Sequence, residues 1–229
     1  MEINAKQNDV LLQITDLHVQ YTTERAVGNA LNGFNLTIHK GESMGLVGET
    51  GAGKTTAALS ILNLLPKPAG KITKGEILYN GKNVMKMSQK ELMDIRGNKI
   101  SMIFQNPLTS LNPVFTIGEQ IGMVIRRHER VSRRQAQEKV KALLEQVGIP
   151  GARLNDYPNQ FSGGMRQRCA LIRTLATAPK ILLLDESFSA LDYQTRLSVS
   201  ADICRIIRQE RKTALLVTHD ISEAISMSD

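Results

Sequence analysis

Residues 48–55 constrain the fold of this chain more than any other feature, because they read Gly-Glu-Thr-Gly-Ala-Gly-Lys-Thr. The spacing fits the P-loop pattern, in which glycines let backbone N–H groups turn towards phosphate oxygens. The apolar run 44–47 precedes the loop, and a helical pattern over 55–65 follows it, up to Pro66. A strand, a glycine loop and a helix N-terminus together form an anion-binding site. The sequence therefore predicts a phosphate-binding loop here.

Every residue of this loop is a candidate ligand of a bound nucleotide. We expect Lys54 to reach the β and γ phosphates, and the Thr55 hydroxyl to coordinate Mg²⁺. Charge neutralisation of this kind makes Lys54 a candidate catalytic residue as well. The predicted nucleotide-binding residues of the segment are Gly48, Glu49, Thr50, Gly51, Ala52, Gly53, Lys54, Thr55 and Thr56.

Short apolar runs alternate with helical patterns along the chain. The runs are residues 44–47, 100–104, 181–184 and 214–218. This alternation predicts an α/β protein with a largely parallel sheet. Ligands of such folds collect at the carboxyl ends of the strands.

The first 80 residues carry a second kind of strand signal. Residues 11–21 and 30–38 alternate apolar and polar positions, as half-buried antiparallel strands do. Residues 76–79 lead into Asn80-Gly81, a strong hairpin turn signal. We therefore expect a small antiparallel sheet beside the parallel one.

Residues 115–148 have a helical pattern. Ser132 and Gln135 form a capping box, and Gly148 with Pro150 is expected to stop the helix. One apolar stripe follows the cap and consists of Ala136, Val140, Leu143, Leu144 and Val147. The pattern predicts a helical insert between two strands of the core.

Two carboxylates follow the apolar run at 181–184. Asp185 at the strand end is suited to hold Mg²⁺, and Glu186 is suited to polarise an attacking water. The alternative is an exposed charge pair at the end of a strand. The P-loop earlier in the chain favours the first interpretation.

Residues 161–167, Phe-Ser-Gly-Gly-Met-Arg-Gln, resemble the signature motif of ATP-binding cassette (ABC) proteins. The resemblance implies that Ser162, Gly163 and Gly164 bind the γ-phosphate held by an opposite subunit. Gln105, after the run 100–104, is similar to the Q-loop glutamine of the family. The segment 189–192, which ends at Asp192, is similar to its D-loop.

His219, after the run 214–218, resembles the switch histidine of the family. Tyr21 stands where the family places an aromatic ring against adenine, although a single tyrosine could equally be part of the core. The implied catalytic residues are Glu186, His219, Lys54 and Gln105. The implied Mg²⁺ ligands are Thr55, Gln105 and Asp185.

The resemblance implies one ABC nucleotide-binding domain over residues 1–229: a P-loop NTPase core with a mainly parallel sheet, an antiparallel β subdomain and a helical subdomain. The core and antiparallel parts would cover about 1–104 and 166–229, and the helical subdomain about 105–165. Family members usually continue past the helix at 222–227 into further strands. We therefore expect the chain, which ends at Asp229, to be short at its C-terminus.

The resemblance also implies a function, namely binding and hydrolysis of ATP with Mg²⁺ to power an importer. Residues 20–170 look like the dipeptide, oligopeptide and nickel importers, which favours peptide or nickel uptake. The part after about 179 looks more like the nitrate, sulfonate and taurine importers. The implied partners are a second ATP-binding subunit, identical or different and arranged head to tail, and membrane-spanning permease subunits. A solute-binding protein would act indirectly, and the implied location is the cytoplasmic face of the membrane.

Composition agrees with a peripheral subunit of this kind. No stretch approaches the roughly 20 apolar residues of a membrane-spanning helix, and the polar N-terminus lacks the apolar region of a secretory signal. Cys169 and Cys204 form no metal-type pair, so reduced thiols are expected. The net charge of +7 suggests nucleic-acid binding as one hypothesis. Aromatic residues, on which bases could stack, are only 4% of the chain, so no nucleic-acid partner is expected.

Two other functions stay open from the sequence. A soluble ABC ATPase of DNA repair or translation usually carries coiled-coil, zinc-bearing or tandem-domain insertions, and no such insertion is recognisable here. A non-catalytic nucleotide-binding module is the second alternative. The presence of Glu186 and His219 argues against it.

Overall fold

The computed structural model describes residues 9–24, 26–104, 110–189 and 192–228. The chain divides into two compact units, and each is described by itself. The first unit consists of Met1–Arg96 and Arg211–Asp229, and the second of Gly97–Glu210. These limits differ from the subdomain boundaries near 105 and 165 expected from the sequence, which stay predictions.

The described residues form both strands and helices. The strands are β1 Val10–Thr22, β2 Val27–His39, β3 Ser43–Val47, β4 Gly70–Tyr79, β5 Lys82–Asn83, β6 Ile100–Ile103, β7 Ile181–Asp185 and β8 Thr213–Thr218. The α-helices are α1 Lys54–Ile61, α2 Gln89–Ile95, α3 Ile117–His128, α4 Arg133–Gln146, α5 Gly163–Leu175, α6 Tyr193–Gln209 and α7 Ile221–Met227. None of these helices is long and apolar enough to cross a membrane.

An antiparallel sheet occupies the N-terminal part of the first unit, with strand order β2-β1-β4-β5. Its alternating pattern buries Leu12 and Ile14 on one face of β1. The hairpin between β4 and β5 turns at Asn80 and Gly81, with φ of 48° and 75°. Both residue types tolerate this left-handed conformation, so the hairpin prediction is confirmed.

The first unit also contains a parallel strand pair, β3 with β8. Helix α7 covers β3 closely, since a Cβ built on Gly45 would lie 3.2 Å from the Cβ of Ala224. A glycine is required there because the helix backbone approaches the strand. The pair leads into the loop at 48–53 and the segment at 219–220.

Helix α1 is shorter than predicted. It ends at Ile61 rather than at residue 65, because Asn63 adopts a left-handed φ of 50° and the N–H of Leu64 bonds to the carbonyl of Leu59 at 2.9 Å. This is the geometry of a Schellman cap, in which asparagine replaces the usual glycine. Pro66 therefore lies beyond the helix and does not end it.

The second unit is built around β6 and β7, which also pair in parallel. Two helices, α3 and α4, occupy the region 115–148, where the sequence suggested one helical segment. Each begins at its own capping box, Thr116 with Glu119 and Ser132 with Gln135. Gly148, with φ of 72°, follows α4 as predicted. Parallel strand pairs, an antiparallel sheet and helices together confirm the predicted α/β fold.

The two cysteines are free thiols on helices of the second unit. Cys169 is buried in α5, and burial raises the pKa of its thiol to about 12. Cys204 is half-buried in α6. The prediction of reduced thiols is consistent with this arrangement, because a buried, protonated thiol is a poor nucleophile.

Candidate nucleotide-binding site

The loop at 48–53 wraps around the ammonium group of Lys54. Its Nζ donates hydrogen bonds to the carbonyls of Gly48 at 2.8 Å and Glu49 at 2.9 Å. The lysine is only 7% exposed, although it is charged. The loop therefore holds a positive charge inside its own curve, at the start of helix α1.

Two glycines give the loop its shape. Gly51 and Gly53 have φ of 87° and 85°, a region that side chains with a Cβ rarely adopt. A Cβ on Gly53 would in addition lie 2.3 Å from the carbonyl oxygen of Ala30 in β2. At Gly51 an added Cβ would meet nothing within 4 Å. Gly53 thus fixes the loop against the antiparallel sheet.

The N-terminus of α1 lies at the end of the glycine loop. Its N-cap residue, Gly53, makes no side-chain cap, and the first turn contains no acidic residue. Thr55 is exposed in that turn, whereas Thr56 is buried. The partial positive charge of a helix start without an acidic side chain favours an anion, so the loop fits the phosphates of a nucleotide.

His219 lies at the same edge of the strand pair as the loop. Thr218, the last residue of β8, is opposite Val47, the last residue of β3, so Gly48 and His219 leave adjacent strand ends. The neighbouring Asp220 caps helix α7 by accepting hydrogen bonds from the backbone N–H groups at 222 and 223. The register therefore brings two predicted site residues together.

Tyr21 is half-buried at the end of β1, in the same unit as the loop. It is opposite Gly70 in β4, and a Cβ on that glycine would lie 2.8 Å from the Cε1 atom of the ring. The Tyr21 ring therefore packs against the backbone at Gly70, which has no side chain. Its contact with adenine stays a prediction.

The two carboxylates lie at the end of β7 in the second unit. Asp185 is 2% exposed, and Glu186 follows with a left-handed φ of 44°. The N–H and hydroxyl of Ser189 both donate to the Glu186 carbonyl, at 3.1 and 2.9 Å. Leu184 is opposite Ile103, so the segment leading to Gln105 leaves the same edge. Gln105 itself lies outside the described residues.

Ser162 begins helix α5 as its N-cap, and its Oγ accepts a hydrogen bond from the N–H of Met165. Gly163 and Gly164 form the first turn. A Cβ on Gly164 would lie 2.5 Å from the Cγ2 atom of Thr195, so the glycine allows helix α6 to approach.

Asp192 caps the helix that Gly164 meets. Its carboxylate accepts a hydrogen bond from the N–H of Thr195 at 3.0 Å, and this bond holds the pKa of the carboxyl below its ordinary value. The predicted signature and D-loop residues thus begin two adjacent helices of the second unit. Ala190 and Leu191 of the predicted D-loop lie outside the described residues.

Two residues that the sequence did not identify support the site. The Arg153 guanidinium stacks 4.3 Å from the ring centroid of Phe161, the residue before Ser162, and donates to the Gln160 carbonyl at 2.9 Å. Gln167 donates to the carbonyl of Ser187, next to Glu186. Gln167 is the last residue of the signature-like motif, but no role was predicted for it, and no pattern marked Arg153.

The predicted Mg²⁺ ligands are oxygen donors from separate segments. Thr55 supplies an exposed hydroxyl, and Asp185 supplies a carboxylate at a strand end. Within the part of the chain that the structure describes, no group of three or more His, Cys, Asp or Glu residues could hold a metal ion. Magnesium characteristically takes one or two protein oxygens and completes its shell with phosphate and water, so this donor set fits it.

A lysine held inside a glycine loop at an uncapped helix start defines the chain as a P-loop nucleotide-binding protein. The particular family follows from comparison with known proteins. Residues 31–189 match the family model described as ABC transporter, and the chain belongs to that family.

Relatives with assigned roles match the chain over nearly its whole length. It is 43% identical over 227 residues to a probable peptide ABC transporter ATP-binding protein of Sinorhizobium fredii, and 41% identical over 225 residues to the dipeptide transport ATP-binding protein DppD of Bacillus subtilis. Each match covers 96% of this chain but 66% of the relative. The chain thus spans about two-thirds of the length of these relatives.

Solved structures give the same family. The ATP-binding cassette MJ0796, in a dimeric post-hydrolysis state bound to ADP and Pi, matches with a TM-score of 0.81 and 29% identity. The match covers 93% of this chain and 90% of that one.

Proposed function

We propose that the chain binds and hydrolyses ATP as the motor subunit of an ABC importer for peptides. The observation that carries the ATPase part is the register of β3 with β8, which puts the P-loop and His219 at one strand edge. The names of the relatives, which are peptide and dipeptide transport proteins, favour peptides over nickel as the solute.

The chemistry would consist mostly of positioning and charge stabilisation. Lys54 and the loop amides would bind the β and γ phosphates, and Glu186 would take a proton from the attacking water. His219 and Gln105 would orient the water and the γ-phosphate. Thr55, Asp185 and Gln105 would hold Mg²⁺, which supplies positive charge next to the phosphate oxygens.

The partners follow from the same proposal. A second ATP-binding subunit would face this one head to tail, so that Ser162 of each subunit completes the P-loop site of the other. The dimeric state of the MJ0796 cassette supports the pairing of two subunits. Separate permease chains would cross the membrane, and the subunit would act at its cytoplasmic face. A solute-binding protein would deliver the peptide.

The decisive experiment for the ATPase proposal replaces the general base. Glu186→Gln should keep ATP binding and lower turnover about 10²- to 10⁴-fold, because an amide keeps the shape but cannot accept the proton. Glu210→Gln, an exposed change at the end of α6, is the matched control and should keep full turnover. Near wild-type turnover of Glu186→Gln would contradict the assignment.

The solute is tested separately, in cells. Disruption of the gene should reduce uptake of labelled di- and oligopeptides, and re-expression should restore it. Loss of nickel, nitrate, sulfonate or taurine uptake with normal peptide uptake would instead support an importer of that solute. A repair or translation defect with normal uptake would support a soluble ABC ATPase.

A further inference from the structure

The backbone conformation of Glu186 requires support from its surroundings. Its φ of 44° is left-handed, and a residue with a long side chain persists there only when neighbouring groups hold it. Ser189 provides part of this support from within the turn, through its two hydrogen bonds to the Glu186 carbonyl. Two further contacts of the turn come from other elements of the second unit.

The first of these contacts comes from the signature helix α5. The side-chain amide of Gln167 donates to the carbonyl of Ser187, the residue directly after Glu186. Gln167 is 2% exposed and Ser187 is 1% exposed, so water cannot replace the bond. Without the Gln167 donor, the buried Ser187 carbonyl would lose this hydrogen bond, which would destabilise the turn.

The second contact comes from strand β6. The Ser187 hydroxyl donates to the carbonyl of Ile103 at 3.3 Å. The turn of Glu186 is thus bonded on one side to α5 and on the other to the end of β6.

Burial of the Gln167 amide in the core costs desolvation free energy. Its Oε1 atom is buried and accepts no hydrogen bond within the described residues. An apolar side chain of similar length would avoid that desolvation cost. Packing alone therefore does not explain a glutamine here, whereas its donation to the Ser187 carbonyl does.

We propose that Gln167 is a positioning residue for Glu186, and that the Ser187 hydroxyl assists it. The inference rests on the proposed role of Glu186 as general base. Helix α5 begins at Ser162, five residues before Gln167, so the helix that presents the signature serine also fixes the direction of the base. Gln167 would act through the Ser187 carbonyl and not by touching the reacting groups.

The test is the turnover of Gln167→Met, in which the side chain keeps its length but loses the donor. We expect kcat for ATP hydrolysis to fall at least about tenfold while KM for ATP changes less than about twofold. Ser187→Ala should lower kcat by a smaller factor, because only the bond to Ile103 is lost. It also serves as the second variant if Gln167→Met does not fold.

Gln120→Met is the matched control. Gln120 is another buried glutamine of the second unit, 4% exposed, and its amide donates to the carbonyls of Asn112 and Phe115, away from the Glu186 turn. The control should lower the melting temperature and leave kcat unchanged. An equal fall of kcat in both glutamine variants would overturn the proposal, because it would indicate a general loss of packing.

A double-mutant cycle separates positioning from a merely structural effect. In the Glu186→Gln background, Gln167→Met should lower the residual turnover by less than about twofold, since no base remains to be positioned. Multiplicative losses would overturn the inference. If Glu186→Gln removes turnover and Gln167→Met keeps it, this inference alone fails. If Glu186→Gln itself keeps turnover, the proposed function fails.

Discussion

Val47 lies directly opposite Thr218 in the parallel pairing of β3 with β8. The next residues along the two strands are Gly48, the first residue of the P-loop, and His219. Parallel strands present their carboxyl ends at one edge, where ligands of α/β proteins bind. Binding and catalysis can therefore be separated by substitutions at the two strand ends.

Lys54→Ala and His219→Ala should have different effects. Loss of the Lys54 ammonium should weaken ATP binding at least about tenfold, because charged hydrogen bonds contribute about 1.5–3 kcal/mol. His219→Ala should keep the affinity and lower turnover roughly 10²-fold. Calorimetric titration and phosphate release measure the two effects, with the exposed Lys71→Ala as control. An unchanged ATP affinity of folded Lys54→Ala would count against the P-loop assignment.

The two left-handed glycines of the loop should not tolerate alanine equally. Gly51→Ala should reduce the free energy of unfolding by about 1–2 kcal/mol, the cost of a left-handed residue with a Cβ. Gly53→Ala should reduce it more and also weaken ATP binding, because its Cβ would lie 2.3 Å from the Ala30 carbonyl. Urea unfolding of both variants measures the difference. Equal losses would mean that β2 does not restrain the loop.

Because of Asp192, the stability of the folded protein should depend on pH under acidic conditions. The N–H of Thr195 lowers the pKa of this carboxyl from its ordinary value of 3.8, so the stabilisation is fully present above about pH 4. It is lost as the pH falls through the lowered pKa of the folded state. Asp192→Asn keeps a cap but does not titrate, so the melting-temperature advantage of the wild type should shrink between pH 6 and pH 3. A constant difference over this range would refute the role of the charge.

Local signals made much of this fold predictable. The strand before the P-loop, the Asn80-Gly81 hairpin and the capping box at Ser132 each depend on neighbouring residues, and the structure confirms all three. The predicted end of α1 was wrong because proline is a stronger stop signal in a sequence than asparagine. Asn63, however, adopts the left-handed conformation that ends a helix.

The supporting contacts of the candidate site were not predictable in the same way. The bond of Gln167 to Ser187 joins residues 20 apart in the chain, and Ser187 to Ile103 joins residues 84 apart. Such hydrogen-bond partners depend on how a helix packs on a strand end, and no local sequence pattern predicts that packing. The two helices α3 and α4 were predicted as one helical segment because both carry apolar stripes, although the capping box at Ser132 marks the start of the second helix.

The most direct measurement of the central claim uses the mixing of two defective variants, both in the Glu186→Gln background, where bound ATP should hold a dimer closed. One variant adds Lys54→Ala, which damages the P-loop, and the other adds Ser162→Arg, which damages the signature. Ser132→Arg is the matched control for the second variant, because Ser132 is also an exposed serine that caps a helix of the second unit.

Light scattering with ATP should show monomers for each defective variant alone and dimers for the Ser132→Arg control. Mixing the two defective variants should restore part of the dimer, because one site of the mixed pair combines an intact Lys54 with an intact Ser162. If both variants are folded and mixing restores no ATP-dependent dimer at high protein concentration, or if Ser162→Arg alone dimerises normally, the head-to-tail site is contradicted.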